Sequence, residues 1–92
     1  MSRAADAKTV AVKPAAPLNL LLVDDHTMVR EGLARVLDPK AHGWSITEAA
    51  SGYQALECLR SQAFDLAIVD LSMPGMSGLD LIARIRSEFP AV

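Results

Sequence analysis

Two apolar runs that each end on a carboxylate constrain this chain more than any other feature. Leu20 to Val23 leads into Asp24 and Asp25, and Leu66 to Val69 leads into Asp70, after which comes the turn Met73-Pro74-Gly75-Met76-Ser77-Gly78. A short, continuous apolar run with β-branched members reads as a strand covered on both faces, the pattern of a parallel sheet. In open α/β sheets ligands bind outside the carboxyl ends of the strands, so an acid there is placed for chemistry rather than packing. Aspartate is also a common turn residue, and from one strand alone the two readings of Asp70 stand level. The second run, built the same way, decides for a site.

Between and after these runs the period changes. From Thr27, Met28 or Val29, Leu33, Val36 and Leu37 recur at helical spacing, with Arg30, Glu31 and Arg35 on other faces. Thr27 or Asp25 is the expected N-cap, and Pro39 the stop. Residues 38–43 read as a polar loop and Trp44 to Ala49 as a shorter strand. Ser51-Gly52 turns into a second helix with Ala55, Leu56 and Leu59 facing inward, and Phe64 and Asp65 lead into the strand that ends at Asp70. A third helix is expected from Gly78 or Leu79, burying Ile82, Ile85 and Phe89 and ending before Pro90. Strand and helix alternating in this way is the signature of a parallel sheet with crossover helices.

The 92 residues suit one small domain, and residues 1–17, Ala-rich and closed by Pro14 and Pro17, read as a disordered leader. A formal charge of −2 without clustered Lys or Arg gives no electrostatic case for direct nucleic-acid or anionic-membrane binding. Cys58 is the single cysteine, so there is neither a disulfide framework nor zinc-ligand spacing, which fits a reducing, cytoplasmic compartment. No stretch is apolar enough to span a membrane.

In a parallel sheet all strand C-termini share one edge, so Asp24, Asp25 and Asp70 converge if the first and third strands are neighbours. Carboxylates that close destabilise one another unless they bind a proton or a cation. Hard oxygen ligands with no His or Cys suit Mg2+ or Mn2+, and Mg2+ characteristically combines one or two carboxylates with phosphate oxygens. A carboxylate can also be the nucleophile toward phosphorus, forming an aspartyl phosphate. Asp70 stands alone before a Gly-rich loop and is the better nucleophile candidate, whereas Asp24 and Asp25 have the look of a metal-holding pair.

These residues carry a resemblance. LLVDDHTMVREGLARVL, TEAASGYQAL and above all FDLAIVDLSMPGMSGLDLIARIR resemble the receiver domain of two-component response regulators, over residues 18–92. The resemblance implies a flavodoxin-like, CheY-like three-layer α/β/α parallel sheet in the family order 2-1-3-4-5, of which this chain has three strand-helix units in the order 2-1-3. It further implies Asp70 as phosphoacceptor, Mg2+ held by Asp24, Asp25 and Asp70 with the backbone carbonyl of Ser72, and a loop shaped by Pro74 and Gly75. The implied partner is a sensor histidine kinase or a small phosphodonor, in a phosphoacceptor signalling domain rather than an enzyme. Arg30-Glu31-Gly32-Leu33 resembles receivers that precede a LuxR-type helix-turn-helix output, which would make the whole protein a transcription regulator.

The chain departs from the family after the third unit. At about two dozen residues per unit, five units need about 120 residues, and this sequence stops at Ala91-Val92, where a fourth strand would begin. The family's Ser or Thr after the fourth strand and Lys after the fifth have no counterpart in it. A core of this size supplies about 3–5 kcal/mol, so marginal stability or self-association through the edge of the third strand is expected. Two other readings remain: a noncatalytic interaction fragment that uses that edge, and a Mg2+-dependent aspartyl-phosphate phosphotransferase. Against the second, Ser72 occupies the position where such enzymes place a general acid.

Other residues have plainer expectations. An all-oxygen site does not require His26, His42 belongs to a solvated loop, and Met73 and Met76 pack the turn. Trp44 begins its strand and is expected at the far end of the sheet from the acids.

Overall fold

The computed structural model describes residues 17–92, and the leader expected over residues 1–17 lies, Pro17 apart, outside the described residues. From there the chain runs through β1 (Asn19–Val23), α1 (Thr27–Leu37), the single turn α2 (Pro39–His42), β2 (Ser45–Ala49), α3 (Gly52–Ser61), β3 (Leu66–Val69) and α4 (Gly78–Glu88). The sheet order is β2-β1-β3 with both pairings parallel, the 2-1-3 order expected. Val23 lies opposite Ala49 on one side and Val69 on the other, so the chain leaves the sheet at a common edge carrying Asp24 and Asp70. Trp44 precedes the Asn19–Ser45 end of the register and sits at the opposite edge.

The central strand anchors two unequal layers. Leu21 and Val23 point to one face, where they meet Ala55, Leu56 and Leu59 of α3 and Leu81 and Ile85 of α4 in a single core. Burying an aliphatic side chain of this kind contributes about 1.5–3 kcal/mol, so this face holds most of the fold's hydrophobic stabilisation. By strand alternation Leu20 and Leu22 point to the other face and are also fully buried. Glu48 is registered with Leu22 and shares its face, and its bond to Arg30 identifies that face as the one α1 covers.

Several local expectations change. No residue of α1 is buried, and Met28 and Val36, expected on its inward face, are 84% and 80% exposed. Leu33 and Leu37 are half-buried, but the helix packs closely against no other described helix, so the flanks of its apolar stripe at Met28, Val29 and Val36 face solvent. Its N-cap is His26, not Thr27 or Asp25, and no side chain caps it. In contrast Ser51 Oγ accepts from Gln54 N–H and Ser77 Oγ from Asp80 N–H, each at 3.1 Å, at the starts of α3 and α4.

Residues 38–43 are not simply a loop. Asp38 closes α1 in the left-handed region, φ 47°, and Pro39, with its preset φ, starts α2. His42 is exposed, as expected, and its ring also stacks on Trp44 with centroids 4.3 Å apart. On α4 Leu81 is fully buried, whereas Ile82 is only partly covered. β3 is an edge strand, and Leu66 is 47% exposed where cover on both faces was expected.

Candidate functional site

Backbone pairing carries the acids to the sheet edge. Asp24 N–H donates to Ala49 O at 3.1 Å, and Asp70 N–H to Val23 O at 2.9 Å, so both residues extend the parallel ladders by one bond beyond the strands. These bonds fix the main-chain start of each loop relative to the sheet. One oxygen or nitrogen atom from each of Asp24, Asp25, His26 and Asp70 then lies within 4.8 Å of every other. The three sequence-predicted acids therefore do converge.

Asp24 is the only buried charged residue among those described. Its Oδ1 accepts from His26 N–H at 2.8 Å and lies 3.1 Å from His26 Nδ1. Asp25 Oδ1 is also 3.1 Å from that nitrogen, but it is buried and makes no hydrogen bond. His26, which an oxygen-only site would not need, thus stands inside the cluster. The sequence placed it beside the acids, but nothing in its spacing indicated which way the ring turns.

Asp70 Oδ1 accepts from Ser72 N–H at 3.0 Å, which turns the chain sharply after β3. Gly78, at the start of α4, closes this turn from the other side. A Cβ there would stand 2.1 Å from Asp70 O and 2.5 Å from Leu71 Cα, so only glycine lets the helix begin against the backbone of Asp70. Gly75, φ 76°, takes the left-handed conformation, next to Tyr53, and Met76 lies against Gly52. Met73 is buried in the core, so both methionines of the turn pack against the body of the fold.

Grouped carboxylates need compensating positive charge. Among the described residues no Lys or Arg forms an ion pair with Asp24, Asp25 or Asp70, and the guanidinium of Arg30 reaches the carbonyl of Asp24 rather than its carboxylate. The N-terminus of α1, directly after the acids, offsets part of the repulsion through its unpaired N–H groups. The orphaned, buried Asp25 oxygen and the hard oxygen donors fit a divalent cation of the magnesium type.

Comparison with known proteins adds independent findings. A family model described as the response regulator receiver domain matches residues 20–92. The transcriptional activator protein ExaE of Pseudomonas putida is 41% identical over 73 residues, covering 79% of this chain and 34% of that protein. The nitrate/nitrite response regulator protein NarL of Escherichia coli K12 is 36% identical, over 78% of this chain and 33% of its own length. The chain thus spans about a third of the curated relatives it matches. Among solved structures, the response regulator protein TrrA of Thermotoga maritima in complex with Mg(2+)-BeF is 37% identical, with a TM-score of 0.72 over 79% of this chain and 62% of that one. TrrA in complex with the histidine kinase ThkA gives 37% identity and a TM-score of 0.71, over 79% of this chain and 61% of that one.

Proposed function

The chain belongs to the response regulator receiver domain family, and from that premise we propose that Asp70 is its phosphoacceptor, with Mg2+ held by Asp24, Asp25, Asp70 and the Ser72 carbonyl. The observation that carries the proposal is the convergence of Asp24, Asp25 and Asp70 within 4.8 Å at one sheet edge. An Asp70 carboxylate oxygen attacks the phosphorus of a phosphohistidine or a small acyl phosphate. The bond from phosphorus to the donor breaks as the new P–O bond forms, and the donor's imidazole or carboxylate departs with the electron pair. The cation, when bound, neutralises charge on the transferred group.

The protein's own groups prepare this step. The Ser72 amide fixes one Asp70 oxygen at 3.0 Å and leaves the other for attack. Asp24, held by Ala49 O and by the His26 amide, keeps its carboxylate at the shared edge. The TrrA complex with the histidine kinase ThkA supports a kinase of that class as phosphodonor, and the similarity to the transcriptional activator protein ExaE supports transcription regulation as the setting. Edge strand β3, with Leu66 47% exposed, is also proposed as a surface for self-association at high protein concentration, seen as a rising sedimentation coefficient.

Incubation with acetyl phosphate and Mg2+, followed by intact-mass measurement, tests the proposal. Wild type gains a phosphoryl adduct that Asp70→Asn lacks. An adduct retained in Asp70→Asn, or none in wild type, refutes the assignment.

A further inference from the structure

Among the described residues, Arg30 is the one side chain whose hydrogen bonds tie α1, the acid loop and β2 together. Its Nη1 donates to Asp24 O at 2.6 Å, its Nε to Glu48 Oε1 at 2.9 Å, and its Nη2 reaches Thr27 Oγ1 at 3.4 Å. The side chain is only 13% exposed, unlike the solvent-facing Arg84–Glu88 pair on α4. Leu33, Ala34 and Leu37 of α1 are only half-buried, so this polar strap adds to their packing in restraining the start of the helix and the loop preceding it.

We infer that Arg30 is a positioning residue for the cation site, with Glu48 orienting it. The inference rests on the proposed binding of Mg2+ by Asp24 and Asp25. Arg30 does not touch the carboxylates' side of the site. It fixes the Asp24 carbonyl, and with Asp24 N–H held by Ala49 O the two peptide groups flanking the Asp24 Cα are each held by one hydrogen bond. The direction in which the Asp24 carboxylate leaves the backbone is thereby set before any cation arrives. Groups that orient metal ligands from behind typically change metal affinity about 10- to 100-fold when removed.

Charge has to be separated from geometry in the test. Removing Arg30 alone leaves Glu48 unpaired, and the added negative charge would favour a cation and mask a positional loss. The double variant Arg30→Gln with Glu48→Gln removes one charge of each sign and leaves the net charge unchanged. Mn2+ binding is measured by electron paramagnetic resonance on the full chain, with Mg2+ as competitor, at a temperature where circular dichroism shows each variant folded.

The double variant is expected to bind about tenfold more weakly than wild type. Arg30→Lys, which keeps the charge but has a single nitrogen head, is expected to fall between the two. Arg84→Gln breaks an ion pair remote from the acids and is expected to leave affinity unchanged. Equal affinity in the double variant and wild type overturns the inference. If the double variant does not fold, Arg30→Lys decides alone, and wild-type affinity in it overturns the inference. Failure of wild-type Mn2+ binding, or binding unaffected by Asp24→Asn, instead refutes the underlying site assignment and the inference with it.

Discussion

Replacing Gly78 with alanine sets two opposing effects against each other. Gly78 begins α4, and alanine is normally the better helix residue by about 0.5–1 kcal/mol. The added Cβ, however, would lie 2.1 Å from Asp70 O, 2.5 Å from Leu71 Cα and 2.8 Å from Asp70 C. All three are backbone atoms, so no side chain can rotate away, and α4 must part from the end of β3 by about 1.3 Å to bring the shortest contact from 2.1 Å to 3.4 Å, the near limit of van der Waals distance. Forcing extra atoms into a packed site costs about 1–3 kcal/mol, and the absence of a flexible neighbour puts this case at the upper end. The steric cost wins, and a net loss of about 2 kcal/mol is expected.

Gly32 is the control. It lies within α1, and a Cβ there meets nothing within 4 Å. The same substitution is therefore expected to stabilise the chain by about 0.5–1 kcal/mol. Urea unfolding followed by far-ultraviolet circular dichroism measures both. With an m-value of about 1 kcal/mol/M, the midpoint falls by about 2 M in Gly78→Ala and rises by about 0.5–1 M in Gly32→Ala. A Gly78→Ala midpoint at or above that of wild type would refute the reasoning, because it would mean that the helix start does not bear on Asp70.

Other outcomes follow from the same structure. Leu81→Ala, at a fully buried position, is expected to cost about 2–5 kcal/mol, whereas Met28→Ala, 84% exposed, should shift the urea midpoint hardly at all. Ser51→Ala and Ser77→Ala each remove a side-chain cap and are expected to lower stability by about 1 kcal/mol, measurable in the same titration. Addition of Mg2+ should raise the thermal midpoint of wild type and not that of Asp24→Asn, by preferential binding to the folded state, as read by calorimetry. Trp44 emission should change on unfolding and hardly at all on Mg2+ addition, since the ring stacks on His42 at the edge opposite the acids.

The sheet and the acid edge were legible because they rest on local, one-dimensional signals. An apolar run that stops on aspartate marks both the strand and its end, and the alternation of periods fixes parallel pairing. Leu81 was harder to find, because Leu79, Ile82, Ile85 and Phe89 also recur near helical spacing and only packing against β1 and α3 selects the face. The exposed flank of α1 escaped the sequence for a related reason: periodicity gives a stripe, not what lies opposite it. His26 and Gly78 depend on contacts made across the fold, a ring turned between two carboxylates and a missing methyl against a distant backbone, and such contacts leave no trace in spacing.

The two faces of the sheet have a kinetic consequence. α3 and α4 share a contiguous apolar core with β1, whereas α1 is held on the other face without a buried residue of its own. Opening of α1 away from the sheet therefore costs less than global unfolding, and its amides should exchange with solvent while those of β1 remain protected. The acid loop lies at the seam between these two units, its strand end belonging to the slow one and its helix start to the fast one. Any group that bridges Asp24 and Asp25 to Asp70 would stitch the seam and slow exchange in α1 without touching the helix itself.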